Sequence, residues 1–60
     1  MTKKEMQETI ESRCVQAWDS MMWCSKQYGK HDNKTGIARA RWIELNSLYK
    51  DLFNEEPRYH

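Results

Sequence analysis

Backbone breaks are what this chain has least of. It holds one proline, Pro57, and two glycines, Gly29 and Gly36. Nothing therefore interrupts a helix between residues 3 and 28, and no closely spaced glycines form a loop that cradles phosphates. There is no apolar run near the roughly 18 residues of a membrane span, and no charged-then-apolar leader at the start. Cysteine is scarce too: Cys14 and Cys24 lie on one uninterrupted helical stretch. At about 1.5 Å per residue their Cα atoms stand roughly 15 Å apart, beyond the ~7 Å limit of a disulfide. The same separation keeps both thiols from one zinc ion, whose bonds to sulfur are about 2.3 Å long. Two unpaired thiols suit a reducing compartment, and the expected location is cytoplasmic, with no membrane partner.

What is present is a heptad-like repeat. Ile10, Cys14, Ala17, Met21, Cys24 and Tyr28 recur at alternating steps of four and three, as do Ala38, Trp42, Leu45, Tyr49 and Leu52. Such spacing marks two helices packed along a seam. The expected fold is all-α, a two-helix antiparallel hairpin filling residues 1–60 as one domain. The first helix covers about 3–28 and opens with the capping box Thr2-Lys3-Lys4-Glu5. Residues 29–34 form the loop, with Gly29 supplying the left-handed position that ends a helix. The second helix covers about 35–54, with Asp32 or Asn33 favoured as its cap. Pro57 stops any continuation, leaving 55–60 as a frayed tail.

The seam does not account for all the apolar surface. Val15, Trp18 and Met22 form a second row on the first helix, which makes its apolar arc about half the circumference, wider than the ~100° of an ordinary surface helix. The second helix has a comparable arc through Ile37, Leu48, Leu45, Trp42 and Phe53. A chain this short has a core worth only about 3–5 kcal/mol, so self-association is expected to cover what one hairpin leaves wet. The predicted assembly is a homodimeric four-helix bundle, with Val15, Trp18, Met22, Trp42 and Tyr49 as its interface. Charge favours antiparallel hairpins, since residues 26–41 carry Lys26, Lys30, Lys34, Arg39 and Arg41 against Asp32 alone, whereas the remainder is net acidic.

Three residues depart from this pattern. Trp23 lies opposite the apolar arc, among polar residues. With Lys26 and Lys30 it reads as a contact site for a protein partner, because exposed tryptophans are enriched at binding hot spots; the plainer alternative has it lying over lysine stems. Ile43 faces away from the second helix's seam, and Arg39, Ile43 and Lys50 form a second candidate contact ridge, although single exposed aliphatics are common. Arg41 is a charge inside the apolar arc, expected either to snorkel or to pair with a carboxylate of the first helix or of a second subunit, Asp19 and Glu11 being the candidates.

No cofactor and no metal site is expected, since His31, Asp32 and His60 do not converge as zinc ligands must, and the cysteines read as small buried hydrophobes. An enzyme is not expected, because a two-helix hairpin encloses no water-excluding pocket. These features point to a small non-enzymatic binding, adaptor or inhibitory protein. By size alone it compares with small regulators and accessory proteins of phages and mobile elements. Two alternatives stand beside it: a nucleic-acid-binding regulator using the basic loop end, and a structural subunit of a larger assembly. Against the first, the sequence pI of 7.8 is below the >9 of a dedicated nucleic-acid domain, and the expected loop exceeds a helix-turn-helix turn.

Overall fold

A computed structural model describes residues 2–59 as two α-helices packed against each other, α1 (Lys3–Tyr28) and α2 (Asn33–Phe53), with no strand among the described residues. The Thr2 hydroxyl accepts from the Glu5 amide at 3.2 Å, holding the start of α1. Gly29 ends it at φ +94° and donates its amide to the Ser25 carbonyl. That conformation favours glycine, because a Cβ there strains the backbone even where space is open.

The connection is shorter than the loop expected over 29–34. Asp32 caps α2 by accepting from the Lys34 amide at 2.9 Å, so Asn33 and Lys34 already belong to the helix. Thr35, in the first turn of α2, turns inward. It is fully buried, and its hydroxyl donates to the Gly29 carbonyl at 2.7 Å, tying the end of α1 to the start of α2. Asn54 closes α2 in the left-handed region, φ 56°, donating to the Lys50 carbonyl.

The helices run antiparallel along their length: Gln7 meets Tyr49 near one end, Trp18 stacks with Trp42 midway, and Thr35 reaches Gly29 at the turn. The long dimension of 38 Å is that of α1 alone at about 1.5 Å per residue, so everything else lies alongside it. Cys14, Ala17, Met21 and Tyr49 form the core, as the seam predicts, with Trp42 and Leu45 half-buried. Leu52 has left the seam and is 49% exposed. A seven-residue repeat drifts about 20° per heptad on a straight helix, and by the third heptad Phe53 takes that place, its ring stacked on Tyr49 at 4.9 Å.

The largest correction concerns the tail. Over the described residues 55–59 it is not frayed but folds back across one flank of the hairpin as a strap, with Pro57 buried and Tyr59 half-buried. His60 lies outside the described residues. Tyr59 packs on Trp18 and Trp42 with ring centroids 5.7 and 6.3 Å away. Its hydroxyl accepts from Trp42 Nε1 and donates to Asn46 Oδ1, both at 2.9 Å. Further back, the Arg58 amide donates to Glu11 at 3.2 Å, Gln7 donates to Glu55, and Lys50 pairs with Glu56 at 3.1 Å. Aromatic stacking and satisfied polar groups outweigh the chain entropy that frays an unattached end.

Candidate binding surface

The turn end of the hairpin carries an exposed aromatic pair. Trp23, on the outer face of α1, is 56% exposed, and Tyr28, the last residue of that helix, is 43% exposed. Their rings meet edge to face at 5.8 Å and 81°, the arrangement that aromatic quadrupoles favour. Lys34 Nζ stands 4.2 Å over the other part of this pair, the Tyr28 ring, a cation–π contact. Trp23 thus rests on Tyr28 rather than on a lysine stem, and the lysine is held by the tyrosine. Lys26, in the last turn of α1, and Lys30, in the connection, are both exposed beside them. The result is an exposed aromatic pair with positive charge around it.

The other candidate contact residues lie elsewhere. Arg39 and Ile43 are exposed on α2, Ile43 at 49%, and Lys50 is engaged by Glu56 of the strap. Trp23 lies on α1 and Ile43 on α2, and no hydrogen bond or ion pair among the described residues joins the two sets.

Of the residues expected at a dimer interface, Tyr49 is corrected outright. It is 1% exposed, inside the hairpin, where its hydroxyl accepts from Gln7 at 2.8 Å and donates to Glu11 at 3.3 Å. Its hydroxyl meets Gln7 and Glu11, which also bind Glu55 and Arg58 of the strap, and so a buried tyrosine satisfies its polar tip. Trp18 and Trp42 are half-buried beneath Tyr59, Val15 is half-buried, and Met22 remains 43% exposed. Within the chain, the ion pair offered for Arg41 with Asp19 or Glu11 is not formed among the described residues. Glu11 is instead taken by Tyr49 and Arg58, and Arg41 is exposed.

Burial sets the chemistry of the strapped flank. It pushes the Cys14 thiol up, helped by the nearby Glu11 charge and opposed by contact with Tyr59; a thiol held protonated is a poor nucleophile. Burial likewise raises the Tyr49 and Tyr59 phenols, against hydrogen bonds from Gln7 and Trp42 respectively. Among the described residues no group of three or more His, Cys, Asp or Glu is placed to hold a metal, and no helix is long and apolar enough to cross a membrane.

The residues that sequence reasoning missed are Pro57 and Tyr59. The available signal was the row Trp18 and Met22 beside Trp42, an apolar flank in need of cover, with an aromatic waiting beyond a proline. No family model, curated protein or solved structure matches the chain.

Proposed function

We propose that the chain is a small non-enzymatic binding protein, of adaptor or inhibitory kind, that acts in the cytoplasm through protein–protein contacts. Its contact site is the turn end: Trp23 as the apolar anchor, Tyr28 as its support, and Lys26 and Lys30 as the charged rim. The observation that supports this reading is the exposure of the Trp23–Tyr28 pair, about half of each ring residue being open to solvent. Partly buried aromatics braced in one orientation lose little conformational entropy on binding, which is why they serve as anchors. The two free cysteines accord with a reducing compartment.

The working form is a homodimer, two hairpins joined antiparallel into a four-helix bundle. Ile37, Leu48 and Leu52 support this, being 72%, 45% and 49% exposed on the flank the strap leaves bare. Light scattering at micromolar concentration tests it, and a well-folded monomer there would refute it.

For the contact site, the test is recovery of partners from the native host with wild type beside Trp23→Ala. The anchor reading requires that the bound proteins be lost with Trp23→Ala, at an affinity change of about 2 kcal/mol or more, while circular dichroism stays unchanged. An identical set recovered by both proteins would refute it. The same basic end also favours a second reading, in which Lys26, Lys30 and Lys34 bind phosphates and the exposed rings stack on bases. The connection of four residues, Gly29–Asp32, no longer speaks against this. Helices antiparallel along their length, however, do not make the 90–120° crossing of a helix-turn-helix. Affinity for single-stranded nucleic acid falling steeply with salt would mark that reading.

A further inference from the structure

The bare flank carries a pattern that the turn-end site does not use. Along α2, Lys34, Ile37, Arg41, Glu44, Leu48 and Asp51 follow at steps of three, four, three, four and three, which sets them in one stripe down the helix. All six are exposed. In chain order the stripe reads positive, apolar, positive, negative, apolar, negative. Laid against itself end for end, it is self-complementary. With a two-fold axis between Trp42 and Ile43, Lys34 meets Asp51, Ile37 meets Leu48, and Arg41 meets Glu44, each contact occurring twice. A copy laid parallel in register would set like charge on like charge at every charged position.

We propose that this stripe is where two copies of the chain meet, α2 packed antiparallel on α2. The proposal rests on the homodimer reading above and fixes its interface and register. A two-fold interface needs a surface complementary to itself, and this stripe meets that condition in both charge and hydrophobicity. A groove runs beside Arg41, Glu44, Leu45 and Leu48, with Ala17 and Ser20 of α1 in its wall and the longer Arg13 and Gln16 also lining it. Arg41 and Glu44 form no ion pair with each other among the described residues, where Lys50–Glu56 is the one such pair. Lys34 already sits over Tyr28, so the central Arg41–Glu44 contacts set the register and the outer contacts are its rim. The strap closes the opposite flank to this kind of pairing.

Arg41→Glu and Glu44→Arg test the proposal, each alone and in equimolar mixture, by analytical ultracentrifugation beside wild type. Each variant alone places like charges opposite each other at both symmetric contacts, and its dimer dissociation constant rises about tenfold or more. The mixture restores the dimer, because the negative centre of one copy then faces the positive centre of the other. Circular dichroism stays at the wild-type level for both, as both side chains are exposed. A wild-type dimer whose variants associate as tightly as it does, or a mixture that stays monomeric, overturns the stripe and leaves the homodimer standing. A monomeric wild type overturns the homodimer reading, and the stripe with it.

Discussion

On one flank of the hairpin Trp18 and Trp42 lie under Tyr59, roofed by a strap that reaches back from Asn54. On the other, Ile37, Leu48 and Leu52 lie open. Both flanks begin as apolar rows beside the same seam, and the difference is in what covers them. The covered row is aromatic, with an indole N–H that needs a partner and finds one in the Tyr59 hydroxyl. The bare row is aliphatic and interspersed with both signs of charge, which stay hydrated without a partner. Wide, ring-rich surface is expensive to leave wet, whereas isolated aliphatics between charges are tolerated. The chain therefore covers its aromatic flank from within and leaves the mixed one available.

This contrast can be broken most severely by removing the strap. Truncation after Asn54 uncovers Trp18 and Trp42, removes the strap partners of Asn46 and Lys50, and leaves Glu11 with Tyr49 alone. The expected loss is about 3 kcal/mol, measured by urea unfolding followed by circular dichroism. Since a core of this size is worth only about 3–5 kcal/mol, the shortened chain should keep no more than about 2 kcal/mol and show a measurable unfolded fraction at room temperature. A truncated hairpin as stable as the full chain would mean that the strap rides on the fold without supporting it.

A smaller effect comes from the strap's hydroxyl. Tyr59→Phe keeps the stacking and removes the bridge from Trp42 to Asn46, and should lower stability by about 1 kcal/mol at neutral pH. The same flank should also give way in alkali. Tyr49, Tyr59 and Cys14 all have pKa values raised by burial, so above the ordinary values of 10.0 and 9.0 the unfolded chain releases protons that the folded chain retains. Stability is therefore fully present below about pH 9 and falls as pH rises past those values. Unfolding midpoints that stay flat from neutral pH through pH 11 would contradict this. Tyr59→Phe should shrink the fall by removing one of the three groups.

The smallest effect belongs to the bare flank. Ile37→Ser, at a side chain 72% exposed, should change the stability of the dilute monomer by no more than about 0.5 kcal/mol, while weakening self-association at higher concentration. A large loss in dilute solution would show that the flank is not bare.

The hairpin was legible because its causes are local. The spacing from Ile10 to Tyr28, the Thr2 cap and the glycine at position 29 each act within a few residues, and periodicity reports them directly. Cys14, Ala17, Met21 and Tyr49 fell where that periodicity put them. The strap was not legible, because its contacts join residues far apart in the chain, such as Glu11 with Arg58 and Gln7 with Glu55. No period connects such positions. Excess apolar arc was read correctly as surface in need of cover, but an aromatic in a short tail and a second subunit are equivalent answers to that need. Tyr49 shows the same limit at one residue: its place in the repeat was evident, and the network around its hydroxyl was not. For the candidate contact site, the exposure of Trp23 followed from its helical angle. Its bracing by Tyr28 did not, since five residues separate the two and the helix ends between that pair and Lys34.

The strap also gives the molecule an order of events in time. Thr35 and Gly29 are six residues apart, so the turn closes at small entropic expense, and the helices can zip away from it. The contacts from Gln7 and Glu11 to the strap span 48 and 47 residues. They become favourable only once the hairpin has brought the chain's distant parts together, because loop closure grows costlier with length. Docking of the strap should therefore be the last step of folding and its release the first step of opening. Native-state hydrogen exchange should then find the Arg58 amide exchanging through a local opening that leaves the helices intact, briefly baring Trp18 and Trp42.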